Sequence, residues 1–332
     1  MKHSRKRAKL LTLFILAAYS FLNTGCEADR KIEIIKLAHG LDPTHPVHQA
    51  MEFLADRVSE KSNGRMRIDI YPSEQLGSER ECLELLQIGS LAMTKVSCSV
   101  LEGFVPAMSV LSLPYLFKDE EHRYKILEGE IGRKLLLEGE IYWLRGLCYY
   151  DAGSRSFYTK DKPILSPSDL AGIKVRTQES STSMRMVQAF GGSPTPIAWG
   201  ELYSALQQGV VDGAENNPPS FHLSRHYEVC KFYSLDEHTA VPDVLIISTK
   251  IWHDLSPEYQ QLLQEAAHES EQYQKELWKK ATQHALEQVQ KSGVKIYYPD
   301  KNLFAEKVKP IYEEYKKQPE IYQLIQQIQA VK

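Results

Sequence analysis

Arg155, which closes the run Tyr149-Tyr150-Asp151-Ala152-Gly153-Ser154-Arg155, and Arg176, which closes Gly172-Ile173-Lys174-Val175-Arg176, stand where strand meets loop. The amide-bearing run Glu215-Asn216-Asn217 follows them. A guanidinium presents a planar fork of donors that matches a carboxylate in two parallel bonds, so a strand-end arginine is a geometric test for an anionic ligand. Each charge-assisted bond is worth roughly 1.5–3 kcal/mol. Asn216 adds a donor and an acceptor for hydroxyl or carboxylate oxygens. The combination points to an organic acid. The plain alternative is that both arginines are ordinary surface residues, and residue type alone leaves the two about even.

The elements that must position these side chains follow from periodicity. A short apolar strand pattern from Ile32 to Ala38 ends at His39-Gly40, and a helix with Val47, Met51, Leu54, Ala55 and Val58 on one face starts at Pro46 and stops at Asn63-Gly64. Met66, Ile68 and Ile70 alternate as a strand, and Ser78 with Glu81 forms a capping box for a helix that runs to Ile88 and ends at Gly89. Leu91 to Val96 is the next strand. The pattern recurs with strand Ile173–Val175, helix Ser181–Phe190 stopped by Gly191-Gly192, and a short helix Trp199–Gln208 before Gly209. Pro257 to Lys291 carries apolar residues at helical spacing as one very long helix. Alternating strands and helices predict an α/β fold with mainly parallel sheets. Ligands of such sheets bind outside the carboxyl ends of the strands, where His39, Lys95, Ser97, Arg155, Arg176 and Asn216 fall. Two such sheets facing each other make a cleft.

The first residues carry Lys2, Arg5, Lys6, Arg7 and Lys9, then an apolar run from Leu10 to Leu22, too short to be a comfortable membrane span. This predicts an export signal over residues 1–25. Asn23-Thr24-Gly25-Cys26 resembles the lipobox at which bacterial lipoproteins are cleaved and lipidated on cysteine, with Asn23 where leucine is expected. The other candidate is a plain secretory signal cleaved nearby. The chain has 332 residues and a formal charge of −3, and the first 25 hold five basic and no acidic side chains, so the remainder is more acidic still. That balance disfavours nucleic acid as a partner. Cys82, Cys98, Cys148 and Cys230 show no Cys-x-x-Cys spacing, which favours buried free thiols over zinc or thiol exchange.

The strings Asp169-Leu170-Ala171-Gly172-Ile173-Lys174-Val175-Arg176, Gly191-Gly192-Ser193-Pro194-Thr195-Pro196 and Trp199-Gly200-Glu201-Leu202-Tyr203-Ser204-Ala205-Leu206-Gln207-Gln208-Gly209-Val210-Val211-Asp212-Gly213-Ala214-Glu215-Asn216 resemble the signature of the solute-binding proteins of tripartite ATP-independent periplasmic (TRAP) transporters. Gln75-Leu76-Gly77 and Leu113-Pro114-Tyr115-Leu116-Phe117 extend the likeness upstream. It implies a two-domain periplasmic-binding-protein-like fold, joined by crossing strands and a long domain-spanning helix and closing on one organic acid. The domains it implies are residues 31–153 with 242–281, and 154–241 with 282–332. It implies a carboxylate clamp at Arg176, a second cleft arginine at Arg155, a polar contact at Asn216, an aromatic wall at Trp199, and a cleft-facing acid at Glu79. His39, Lys95 and Ser97 join them on strand-end position. Each has a structural alternative: Glu79 complements a helix dipole, Trp199 packs in a core, and Lys95 pairs with an acid.

Glu79 in the cleft would repel a dicarboxylate such as succinate and accept hydrogen bonds from sugar hydroxyls. Gly77-Ser78-Glu79-Arg80-Glu81-Cys82, Met93-Thr94-Lys95-Val96-Ser97 and Glu215-Asn216-Asn217-Pro218-Pro219-Ser220-Phe221 also resemble the hexuronate-binding branch. The expected ligand is therefore glucuronate or galacturonate. The resemblance further implies delivery to a permease of small and large membrane subunits, with no cofactor and no covalent chemistry required, and the lipobox-like run implies a place at the periplasm or cell surface with Cys26 as lipid anchor. Competing readings are a dicarboxylate binder, a secreted hydrolase or lyase using Glu79 or Glu215 as acid or base, and a metal site at His39, His45 and His48.

Overall fold

The computed structural model describes residues 32–332; the export signal expected over residues 1–25 and the lipidation expected at Cys26 lie outside them. Its strands form two sheets whose central strands are buried throughout. The first sheet has the order β2 (Met66–Tyr71), β1 (Glu33–Ala38), β3 (Met93–Ser97), β10 (Asp243–Ser248), β4 (Leu144–Tyr150). In β1, Ile35 and Leu37 are buried while Ile34 and Lys36 are exposed, whereas all of β3 and β10 is buried. Central strands read as unbroken apolar runs because both faces are covered. The second sheet has the order β11 (Lys295–Tyr297), β9 (Phe232–Thr239), β5 (Arg155–Thr159), β8 (Gly213–Asn216), β6 (Lys174–Thr177), β7 (Ser193–Pro196).

The sheets are mixed, not mainly parallel as the periodicity predicts. β1 and β3 run parallel, as do β6 with β7 and with β8, but β10 is antiparallel to β3 and β4, and β5 is antiparallel to β8 and β9. The cause is that the chain crosses from one sheet to the other through residues 151–154 and returns through 240–242. A strand entering from the opposite sheet arrives in the reverse direction, and a run of apolar residues does not encode direction. These crossings bring Arg155 and Asp243, the first residues of β5 and β10, to the junction of the two sheets.

Local signals set the element ends that matter for the site. Ser78 accepts from the Glu81 amide while the Glu81 carboxylate accepts from Ser78, starting helix Glu79–Ile88, and Gly89 ends it at φ 84°. That box places Glu79 in the first helical turn. Helix Pro257–Lys291 spans 35 residues behind a Ser256 cap. Its Leu262, Leu263, Ala266 and Trp278 pack under the first sheet and its Val289 packs with Tyr158, Leu202 and Tyr233 of the second. Residues 34–332 form one compact unit. Cys82, Cys98, Cys148 and Cys230 are buried free thiols.

Candidate functional site

A cavity of about 670 Å³, counting the space open at its mouth, lies where the carboxyl end of β3 faces those of β6 and β8. Glu79, Lys95 and Ser97 line it from the first sheet's lobe, and Arg155, Arg176, Trp199 and Asn216 from the second.

Arg176 is the third residue of the four-residue strand β6 and is 2 % exposed. Its Nε donates to the Ile197 carbonyl at 2.9 Å, and its guanidinium lies 5.8 Å from the centroid of the Trp199 ring. Nη1 is buried without a partner, and among the described residues no carboxylate pairs with this cation. Burial lowers its pKa from the ordinary value. An unpaired buried charge is costly, and an arriving anion removes that cost.

Arg155 is equally buried and differently placed. Its Nε and Nη2 donate to the two carboxylate oxygens of Glu215, Nη2 also reaches the Glu215 carbonyl at 2.8 Å, and Nη1 donates to Asn216 Oδ1 at 3.0 Å. Burial opposes ionisation of Glu215, but Arg155 and His238 outweigh it and hold the carboxyl at about 2. His238, whose Nδ1 donates to Asp236 at 2.8 Å, resists its own burial through Asp236 and Glu215 and is raised to about 9. Arg155 is thus a neutralised donor. Asn216 Oδ1 also accepts from the Asn217 amide at 2.9 Å, so this residue offers the cavity its N–H groups rather than the donor and acceptor pair the sequence suggests.

On the opposite wall Lys95 donates to Glu79 at 2.8 Å and meets Asp243 at 3.2 Å. Burial opposes its charge, but the two carboxylates raise its pKa well above the ordinary range. Burial raises Asp243 against the pull of Lys95. Glu79 also accepts from the Ser97 amide at 3.2 Å, and the Ser97 hydroxyl donates across the cleft to Gln178 at 3.3 Å. Lys95 therefore pairs structurally and still faces the cavity. Trp199 is half-buried beside His226, at 5.3 Å between rings, and His226 is pulled down to about 3 by burial and then by Arg176.

His39 requires a correction. It lies behind the cavity, its Nδ1 accepting from the Leu41 amide at 3.1 Å and its Nε2 within 2.9 Å of His48 Nδ1, and burial lowers its pKa to about 2. Strand-end position put it near the site, but the turn after β1 directs the ring inward. His45 lines the cavity instead, 3.3 Å from Ser220 across the cleft. Among the described residues no group of three His, Cys, Asp or Glu side chains is arranged to hold a metal ion. Sequence spacing missed Asp243 and Trp278, which both line the cavity; the trace that could have found Asp243 is an acid inside the apolar run Val241–Ile247.

The model of bacterial extracellular solute-binding protein family 7 matches residues 37–318. The chain belongs to this family. Among relatives, the uncharacterised protein YiiZ of Salmonella typhimurium is 36 % identical over 326 residues, 98 % of each chain. Two solved solute-binding proteins of the TRAP class share this fold. One, from a Bradyrhizobium species in complex with α/β-D-galacturonate, is 37 % identical with a TM-score of 0.88, over 90 % of this chain and 100 % of that one. The other, from Chromohalobacter salexigens with bound D-glucuronate, is 35 % identical with a TM-score of 0.87, over 89 % and 99 %. Family 7 membership makes this chain an extracytoplasmic solute-binding component of transport.

Proposed function

We propose that this TRAP-class solute-binding protein captures a hexuronate, D-glucuronate or D-galacturonate, and hands it to a permease of small and large membrane subunits. The observation that carries the ligand class is the contrast in the cavity between one uncompensated guanidinium and several compensated charges. Arg176 has charge to offer a single carboxylate, while Arg155, Lys95 and Glu79 are already paired and offer directed hydrogen bonds. One clamp plus a polar wall suits a monocarboxylate polyol, and the uronates held by structural neighbours are of that kind. Glu79 and Asp243 opposite Arg176 disfavour a second carboxylate. In this scheme Arg176 binds the carboxylate, Arg155, Asn216, Glu79, Lys95 and Ser97 bind hydroxyls or the ring oxygen, and Trp199 covers the apolar face.

Residues 31–153 with 242–281 and residues 154–241 with 282–332 act as the two closing domains. Cys26 carries a lipid that tethers the protein outside the cytoplasm, a point that mass spectrometry of the mature N-terminus tests directly. Calorimetric titration with D-glucuronate, D-galacturonate, sialate and succinate tests the ligand class. Saturable binding of an unaltered uronate with a Kd near ~1 μM, or about −8 kcal/mol, is expected. Tighter binding of succinate would make it a dicarboxylate receptor, and chemical conversion of the sugar would make it an enzyme.

A further inference from the structure

The two lobes touch beside the cavity-lining residues Gly40 and Trp199 through a carboxylate that neither family signature nor ligand geometry requires. Glu74 sits in the turn after β2, and its carboxylate accepts from the backbone amide of Gly200 at 3.1 Å. Gly200 follows Trp199 in the short helical turn of the opposite lobe. Two glycines make the approach possible. A Cβ on Gly200 would lie 2.2 Å from Glu74 Oε2, and one on Gly40, which lines the cavity, would lie 3.2 Å from Glu74 Cγ. The backbone that presents Glu74 is strained: Ser73 and Glu74 both adopt left-handed conformations, at φ 55° and 58°. They are held there by amide bonds from Ser73 to Leu41 O and from Glu74 to His39 O. Consecutive non-glycine residues in that region persist only where their surroundings over-determine them.

The segment on the receiving side is anchored at both ends. Arg176 donates to Ile197 O, its guanidinium faces the Trp199 ring, and the next amide is the one Glu74 holds. We propose that Glu74 is a positioning residue whose bond to the Gly200 amide latches the Trp199 turn over the clamped carboxylate and slows ligand release, a role that rests on the uronate assignment above. Charge around Glu74 supports the geometry. Burial raises its pKa, the Gly200 amide opposes, and Glu79 and Glu81 from one lobe and Glu201 from the other add to the rise.

Dissociation of radiolabelled D-galacturonate, chased with unlabelled sugar, tests the latch. Glu74→Gln keeps an acceptor without charge and Glu74→Ala keeps neither, so the pair isolates the hydrogen bond from the burial of charge. Glu74→Ala is expected to release ligand roughly tenfold faster than Glu74→Gln. Gly200→Ala is expected to speed release in the wild-type background and to add little on Glu74→Ala, the non-additivity of residues acting as a unit. Equal release rates for Glu74→Ala and Glu74→Gln would overturn the latch. If the wild-type protein binds no uronate, the ligand assignment fails on its own, and small-angle scattering of the ligand-free variants decides the latch: a larger radius of gyration for Glu74→Ala than for Glu74→Gln upholds it, and equal radii sink it.

Discussion

Arg155 and Arg176 occupy strands of one sheet separated only by β8, are 5 % and 2 % exposed, and line one cavity, yet they perform opposite tasks. Strand register makes the difference. β8 pairs with β5 so that Glu215 stands opposite Phe157 and Asn216 opposite Ser156, which delivers a carboxylate to Arg155. β8 presents no acid to Arg176, whose strand partner there is Ala214. The first arginine is therefore part of a self-compensated scaffold with Glu215, His238 and Asp236. The second keeps a charge that only a ligand can neutralise. Among buried arginines the informative property is the missing partner.

The sharpest way to break this contrast is to remove each guanidinium and compare binding with stability. Arg176→Met is expected to weaken uronate binding by about 1,000-fold, near 4 kcal/mol, while leaving thermal stability unchanged or raised, because it deletes an unpaired buried charge. Calorimetry and thermal melting read the two halves; a large drop in melting temperature would place Arg176 in the scaffold. Arg155→Met should do the reverse first, losing about 3 kcal/mol of stability as Glu215 is left buried without its partner. Chemical denaturation measures it, and unchanged stability would mean that Glu215 is compensated elsewhere.

Acid and alkali probe the same scaffold. Glu215, held at about 2 against an ordinary 4.5, contributes stability that is present above pH 4.5 and is lost as pH falls through about 2. His238, raised from 6.5 to about 9, contributes stability that is complete below pH 6.5 and fades as pH climbs through about 9. His238→Gln should flatten that alkaline limb; an unchanged pH profile of the melting temperature would remove His238 from the scaffold. The smallest expected effect is that of Trp199→Leu. Losing the ring over Arg176 should weaken binding by roughly three- to tenfold, in line with about 0.5–1.5 kcal/mol for an exposed to half-buried cation–π contact, and a loss as large as that of Arg176→Met would make the indole part of the clamp itself.

Much of this site is legible in the chain because strand ends and helix caps are local. The capping box that places Glu79, the strand that carries Arg176 and the amide run that closes β8 can all be read within a few residues. What escapes is set by distant partners. Whether Arg155 is a clamp or a scaffold depends on Glu215, 60 residues away, and on the antiparallel register that joins them. Lys95 reads equally as ligand group or ion pair until Asp243 arrives from the far end of the chain. His39 reads as a site residue until the turn after β1 sends its ring toward His48. Strand direction is likewise invisible to periodicity, so the crossing strands β5 and β10 emerge only in three dimensions.

The long helix Pro257–Lys291 gives the molecule a mechanical property. At 1.5 Å per residue it is a rod of about 52 Å, gripped by the first lobe as far as Trp278 and by the second at Val289. A rod held at two places cannot follow lobes that swing apart without bending between its grips. If the lobes part as the proposed closing domains require, the turn from Lys279 to Thr282 would act as a leaf spring between those two grips.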